Sequence, residues 1–138
     1  MQDTFGVAPL SGVPMQALTV LVVDDHSVFR SCVRQLLERS DHCWRVQEAQ
    51  SAEECLDLVH RECPDLILMD INLPGQDGLT ATREILKHYP QLPILILTSL
   101  EVEEYEEEAK ALGALGIISK CDLSVRKLED LMAGVVHG

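Results

Sequence analysis

The stretch TVLVVDDHSVFR, residues 19–30, decides the fold class of this chain. Its apolar run, Val20–Val23, is too short for a helix and ends on two adjacent carboxylates, Asp24 and Asp25. An apolar run bounded by charged residues is typical of a buried strand. Two like charges at the end of a buried strand repel each other, and each loses favourable hydration. We therefore expect a positive group to lie between them.

Four further apolar runs alternate with helical patterns along the chain. The runs are Trp44–Val46, which is the weakest, Leu66–Met69, Ile94–Leu97 and Leu115–Ile118. The helical patterns begin at Phe29, Ala52, Leu79, Val102 and Val125. A capping box of Ser51 and Glu54 opens the second helix, and Gly113 closes the fourth. Five β–α units predict an α/β domain, with a mostly parallel sheet covered by helices on both faces.

Length and composition are those of one packed domain. The chain has 138 residues, of which 46% are apolar, and its net charge is −12. That charge argues against binding of nucleic acid by this chain alone, because a phosphate backbone requires clustered Lys and Arg. No apolar run approaches the ~18 residues of a membrane helix, so we expect no membrane partner.

The chain termini and cysteines bear on organisation and compartment. Residues 1–18 contain two Pro and two Gly and predict a flexible leader, which leaves residues 19–138 as the domain. The five cysteines form no C-x-x-C pair, which favours reduced thiols and a cytoplasmic protein.

Polar side chains stand where the predicted strands end. The first strand ends on Asp24 and Asp25, the third on Asp70, the fourth on Thr98 and the fifth on Lys120. The carboxyl ends of parallel strands meet at one edge, where ligands of such sheets bind. Glu48, at the end of the second strand, has no evident role. A lone histidine in a first helical turn is usually solvated, so we assign no role to His26.

Three carboxylates at one edge predict a site for a hard divalent cation. Mg²⁺ suits it, because Mg²⁺ takes one or two carboxylates, keeps several waters and leaves room for a substrate phosphate. In this interpretation Asp25 is a direct ligand and Asp24 holds the metal's waters. Asp70 and the backbone carbonyl of Asn72 complete the oxygen ligands.

A metal beside a lone carboxylate suggests phosphoryl transfer. Asp70 is the candidate nucleophile, which would form an aspartyl phosphate. Lys120 would neutralise the phosphoryl oxygens as a point charge, and Thr98 would donate its hydroxyl to them.

The motifs in this order resemble the receiver domain of bacterial two-component response regulators. The matching pieces are LVVDDH, PDLILMDINLPGQDG, ILILTS and GALGIISK, within a resemblance that covers about Thr19 to Val136. The DDH opening and the ending KCDLSVRKLEDLM are most like the LuxR/NarL-type subfamily. The resemblance implies a flavodoxin-like (βα)5 fold with strand order 2-1-3-4-5.

The resemblance also implies a function. Asp70 would be the phosphoacceptor, Asp24 and Asp25 the acidic pair that binds Mg²⁺, and Thr98 and Lys120 the switch residues. A sensor histidine kinase or a phosphotransfer protein would supply the phosphoryl group, and a homodimer is a further expected partner. Members of this subfamily usually control transcription through a C-terminal helix-turn-helix, so DNA would be bound by an output domain absent from this chain.

Two residues depart from the family pattern. Ile117 stands where the family usually places an aromatic residue, three positions before the lysine. Cys121 follows Lys120 where many relatives have a cis proline. A cis bond before a non-proline residue costs roughly 2.5–4 kcal/mol, so we predict a trans bond there.

Other functions remain open. A stand-alone receiver or phosphorelay intermediate without DNA output would carry the same residues. A Mg²⁺-dependent hydrolase of the haloacid-dehalogenase kind usually has a general acid two residues after its nucleophile, where this chain has Asn72, which cannot transfer a proton. A nucleotide-binding module would require a Gly-rich loop after the first strand, and DDHSVF contains no glycine. We therefore expect no enzymatic activity beyond self-phosphorylation and slow self-dephosphorylation.

Overall fold

The computed structural model describes residues 18–40, 43–99 and 102–137. In these ranges the strands are β1 (Leu18–Val23), β2 (Trp44–Ala49), β3 (Leu66–Asp70), β4 (Ile94–Thr98) and β5 (Gly116–Ser119). The α-helices are α1 (Ser27–Glu38), α2 (Ala52–Arg61), α3 (Gly78–His88), α4 (Glu106–Leu112) and α5 (Val125–His137). Leu18, assigned above to the leader, begins β1, and the other residues of that leader lie outside the described ranges.

The five strands form one parallel sheet in the order β2-β1-β3-β4-β5. This is the predicted order of the flavodoxin-like (βα)5 fold. In the register, Val23 pairs with both Ala49 and Met69, Asp70 pairs with Leu97, and Thr98 pairs with Ser119. The carboxyl ends of all five strands therefore lie at one edge of the sheet.

Alternate strand residues pack against helices on opposite faces of the sheet, as the period of a strand requires. One face buries the apolar sides of α2 and α3 against β1, β3 and β4, in a cluster that includes Leu21, Cys55, Ile67 and Ile85. The other face buries α1 and α5, in a cluster that includes Val22, Val33, Leu68 and Leu128. Both faces of the sheet are thus covered, and the polar residues at the strand ends are held by a packed core.

Local sequence signals set several helix boundaries. The Ser51 hydroxyl accepts from the Glu54 amide at 3.1 Å, and the Glu54 carboxylate accepts from the Gln50 amide at 2.6 Å. Gly113 ends α4 with a φ of 97°, a conformation that glycine adopts without a steric penalty. The predicted Ser51 cap and the predicted end of the fourth helix are both confirmed, but the Glu54 carboxylate accepts from Gln50 and not from the Ser51 amide of a standard capping box.

The fourth helix and the fifth strand have other boundaries than predicted. The fourth helical pattern was expected to run unbroken from Val102, but the structure has a 3₁₀ turn at Val102–Glu104 and begins α4 at Glu106. Tyr105 separates them with non-helical angles, and the acidic side chains that follow suit the positive end of the α4 dipole. Strand β5 begins at Gly116 rather than Leu115, although the Leu115 amide still donates to the Ile94 carbonyl at 2.8 Å. It ends at Ser119, and Lys120, predicted as its last residue, begins a 3₁₀ turn.

The two departures from the family pattern have clear structural outcomes. Ile117 is buried in a cluster with Ile71, Leu79, Ile96 and Ala109, between β5 and the helices α3 and α4. The bond before Cys121 is trans as predicted, since the described residues contain no cis peptide. No helix in the described part of the chain is both long and apolar enough to span a membrane.

Candidate functional site

Two buried carboxylates lie side by side at the carboxyl edge of the sheet. Asp24 directly follows β1, and its amide donates to the Ala49 carbonyl at 3.0 Å. Asp70 is the last residue of β3. Both residues are almost fully buried, with 0% and 2% of their surface exposed. Burial of two neighbouring carboxylates is costly unless a positive group compensates them.

Lys120 supplies that positive group. Its Nζ donates to Asp24 Oδ2 at 2.5 Å and lies 3.6 Å from Asp70 Oδ2. The same Nζ lies 4.6 Å from the centroid of the Phe29 ring, within the range of a cation–π interaction. The positive group predicted at Asp24 and Asp25 was a divalent cation, and that stays a prediction. The structure places the Lys120 ammonium between Asp24 and Asp70, which come from two different strands.

Asp25 and His26 form the exposed side of the site. The His26 amide donates to Asp24 Oδ1 at 2.8 Å, and its ring Nδ1 lies 3.0 Å from that oxygen and 3.2 Å from Asp25 Oδ1. His26 is exposed, as predicted, but its ring nitrogen belongs to the site. The available signal was the position of His26 directly after the acidic pair, in the motif DDH.

These residues fit a divalent cation. Asp24, Asp25, His26 and Asp70 each offer one ligand atom, and these four atoms lie within 4.8 Å of one another. Oxygen ligands suit a hard cation such as Mg²⁺. Three carboxylates face one ammonium, so the site retains an excess of negative charge that a cation would neutralise.

Asn72 and Thr98 lie beside Asp70 in the fold. The Asn72 amide donates to Asp70 Oδ1 at 3.2 Å, and the proposed ligand role of its carbonyl stays a prediction. Thr98 is fully buried at the end of β4, one residue beyond the Leu97 that pairs with Asp70. Its predicted contact with a phosphoryl group likewise stays a prediction.

Burial raises the pKa of Asp70 above its ordinary value, and the charge of Asp24 raises it further. The Asn72 amide and Lys120 oppose both effects without cancelling them. At pH values between the ordinary pKa of an Asp carboxyl group, about 3.9, and this raised pKa, Asp70 is protonated to a greater extent in the folded protein than in the unfolded chain. The stability of the metal-free protein should therefore fall as pH rises through that window.

We expect the Asp70→Asn variant to be more stable than the wild type at pH 7 in EDTA. Asparagine is nearly the same shape but carries no charge, so it removes the repulsion by Asp24 and the cost of burying a charge. Thermal unfolding in EDTA should show a midpoint a few degrees higher for the variant at pH 7, and the gain should shrink at pH 4. An equal or lower midpoint at pH 7 would contradict this expectation.

The sequence interpretation missed an ion-pair network beside the site. Glu48, to which no role was assigned, accepts from Arg30 Nε at 2.7 Å and from Arg34 Nη2 at 2.7 Å. Hydrogen bonds from Arg34 and then Arg30 lower the pKa of Glu48. Arg30 Nη1 also donates to the Asp24 carbonyl at 2.6 Å. The available signal was the spacing of the two arginines, which lie one turn apart on α1.

Gly78 was also missed. It begins α3, and its amide donates to the Ile71 carbonyl at 2.8 Å, which draws the helix start against the end of β3. A Cβ at position 78 would lie 2.1 Å from the carbonyl oxygen of Asp70. The signal was the glycine that ends the quoted motif PGQDG, directly after the helix cap Asp77.

Comparisons with known proteins agree with this architecture. Residues 20–132 match the family model described as the response regulator receiver domain. The chain is 33% identical over 103 residues to the transcriptional regulatory protein DegU of Brevibacillus brevis, covering 75% of this chain and 44% of DegU. It is 38% identical over 105 residues to a protein-glutamate methylesterase/protein-glutamine glutaminase of Oleidesulfovibrio alaskensis, covering 75% of this chain and 28% of that protein.

A solved structure is similar over most of both chains. It is a two-component response regulator of the LuxR family from Aurantimonas, with a TM-score of 0.75 and 31% identity, covering 86% of this chain and 87% of that one. The chain spans less than half the length of the two curated relatives named above. The family model, the relatives and the fold converge on one identification: this chain belongs to the receiver domain family of two-component response regulators.

Proposed function

We propose that Asp70 accepts a phosphoryl group from a phosphohistidine of a sensor histidine kinase or a phosphotransfer protein. The observation that carries this proposal is the position of Asp70 at the end of β3, in one cluster with Asp24, Asp25 and Lys120. A small donor such as acetyl phosphate would serve the same reaction. The receiver would then switch conformation to control an output.

The transfer is a substitution at phosphorus. A carboxylate oxygen of Asp70 forms the new P–O bond, the P–N bond of the phosphohistidine breaks, and its electron pair returns to the imidazole. Oδ1 accepts from the Asn72 amide, whereas Oδ2 faces the more distant Lys120 ammonium at 3.6 Å. Oδ2 is therefore the better candidate for the attacking oxygen.

The residues around Asp70 would stabilise the product. A phosphoryl group adds about −1.5 to −2 of charge at pH 7. Lys120 would exchange its bond to Asp24 for phosphoryl oxygens, and Thr98 would donate its hydroxyl to them. Asp24, Asp25, Asp70 and the Asn72 carbonyl would hold Mg²⁺, which when bound supplies charge neutralisation at the phosphoryl oxygens.

The chain is proposed to be a signalling domain without hydrolase activity of its own. A hydrolase that uses an aspartyl phosphate needs a general acid close to it. The residue two positions after Asp70 is Asn72, whose amide group has no acidic proton to give. We expect the phosphorylated domain to lose its phosphate only by slow self-dephosphorylation.

For the output we propose transcription control through a DNA-binding domain elsewhere in the full protein, on the similarity to DegU, which is named a transcriptional regulatory protein. The similarity to a methylesterase favours control of an enzyme domain as a second candidate. A stand-alone receiver or phosphorelay intermediate, with or without dimerisation, is the third. The gene sequence around this domain distinguishes the three candidates. An encoded helix-turn-helix domain would support transcription control, and an encoded hydrolase domain would support control of an enzyme.

A cytoplasmic location is also proposed. It is supported by the cysteines, all five of which are free thiols in the structure. Free thiols persist where the surroundings are reducing.

The phosphoryl transfer is tested by intact mass. After treatment with acetyl phosphate and Mg²⁺, the wild type should gain the mass of one phosphoryl group. The Asp70→Asn variant, and the wild type in EDTA, should gain none, because the first lacks the nucleophile and the second lacks the cation. The exposed Asp57 gives a matched control, and Asp57→Asn should be labelled like the wild type. Labelling that persists in Asp70→Asn would overturn the assignment.

A further inference from the structure

We propose that Arg30 is a positioning residue for the metal-binding carboxylates, because it fixes the main chain between Asp24 and Asp25 through a hydrogen bond that Arg34 does not make. The inference rests on the proposed function of the acidic cluster as a Mg²⁺ site. It assigns a role to an ion-pair network that otherwise has none.

The contacts of Arg30 join the ends of two strands. Its Nη1 donates to the Asp24 carbonyl at 2.6 Å, just beyond β1, and its Nε donates to Glu48 Oε1 at 2.7 Å, near the end of β2. Its side chain is only 11% exposed. A charge-assisted hydrogen bond that is shielded from water is strong and geometrically fixed.

The Asp24 carbonyl matters because it belongs to the peptide group that connects the two carboxylates. On the amino side of Asp24, the chain is held by the sheet, since the Asp24 amide donates to the Ala49 carbonyl at 3.0 Å. On the other side the chain leaves the sheet, where the His26 amide donates to Asp24 Oδ1 at 2.8 Å and Asp25 contacts the exposed His26 ring. The position of Asp25 relative to Asp70 therefore depends on how firmly that peptide group is held.

Arg34 is a natural control for Arg30. It lies one turn further along α1 and binds the same Glu48, at 2.7 Å from its Nη2 to Oε2. It donates to the Val46 carbonyl at 3.2 Å rather than to Asp24, and its side chain is 45% exposed. Removal of either arginine takes one positive charge from the same network, but only removal of Arg30 also removes the contact with Asp24.

The two explanations of Arg30 predict opposite changes in Mg²⁺ affinity when Arg30 is removed. If Arg30 acted only through its charge, its removal would make the site more negative and tighten Mg²⁺ binding. If Arg30 positions the carboxylates, its removal should weaken Mg²⁺ binding. Loss of groups that orient metal ligands typically weakens metal affinity by about 10–100-fold.

The experiment is an NMR amide-shift titration of the whole chain with Mg²⁺, which reads metal affinity without any phosphoryl transfer. We expect Arg30→Ala to weaken Mg²⁺ binding by about tenfold, and Arg34→Ala to leave it within about twofold. The charge-conserving Arg30→Lys should be intermediate, because a single ammonium cannot bridge Asp24 and Glu48 as a guanidinium does.

Each outcome decides the proposal. Equal affinities of the Arg30→Ala and Arg34→Ala variants, or tighter binding by Arg30→Ala, would overturn it. If Arg30→Ala does not fold, Arg30→Lys decides: an affinity below that of the wild type supports the role, and an unchanged affinity refutes it. Absence of Mg²⁺ binding by the wild type would overturn the proposed metal site itself, a result that the wild-type titration shows separately.

Discussion

Replacement of Gly78 by alanine is expected to lower the free energy of unfolding by about 3 kcal/mol, the upper end for an overpacked site. The new Cβ would lie 2.1 Å from the carbonyl oxygen of Asp70 and 2.9 Å from its carbonyl carbon. Both atoms belong to the main chain, so no side chain can rotate away to make room. Either the end of β3, which carries Asp70, or the start of α3 must therefore move.

Gly75→Ala is the control for this substitution. Gly75 has a φ of +80° but no heavy atom within 4 Å of an added Cβ, so alanine there incurs conformational strain without a clash. Strain of that kind costs of order 1 kcal/mol. Urea denaturation of both variants measures the difference. A Gly78→Ala variant as stable as Gly75→Ala would show that the start of α3 adapts freely.

The sequence predicts the architecture well, because the features that decide it are local. Apolar runs such as Val20–Val23 and Leu66–Met69 identify strands, and the helical patterns between them require parallel pairing. Once the strands are parallel, the residues at their carboxyl ends must lie at a common edge. Asp24, Asp70 and Lys120, which are distant in sequence and lie at or directly after those ends, could therefore be placed together from the sequence alone.

The hydrogen bonds and ion pairs between side chains at that edge could not be predicted, because they depend on side-chain directions and on the placement of the helices. The position of Lys120 between Asp24 and Asp70, with Phe29 beside it, requires the relative placement of α1 and β5. The link from Arg30 to Glu48 and the Asp24 carbonyl requires α1 to cross the end of β2. The break at Tyr105 was missed because the apolar pattern from Val102 continues through both the 3₁₀ turn and α4.

Loss of Lys120 is expected to produce the second large effect. The Asp24 side chain is 1% exposed, and Lys120 Nζ is 2.5 Å from its Oδ2. Removal of one partner of a buried ion pair costs about 3–5 kcal/mol, because the remaining charge is left without compensation. Lys120→Met keeps much of the aliphatic chain against Phe29 but removes the ammonium. We therefore expect this variant to lose about 3 kcal/mol of stability in EDTA at pH 7.

Mg²⁺ and a second substitution test the cause of that loss. If uncompensated carboxylates are responsible, adding Asp24→Asn to Lys120→Met should recover most of the stability, because no buried charge is then left unpaired at Asp24. A ligand at about 100 times its Kd adds about 2.7 kcal/mol to any variant that binds it. Lys120→Met should gain more from Mg²⁺ than the wild type does at the same concentration, because the ammonium no longer competes for the carboxylates. Two results would show that Lys120 stabilises the fold by packing and not by charge. One is a double variant whose loss of stability is the sum of the two single losses. The other is an equal stabilisation of Lys120→Met and of the wild type by Mg²⁺.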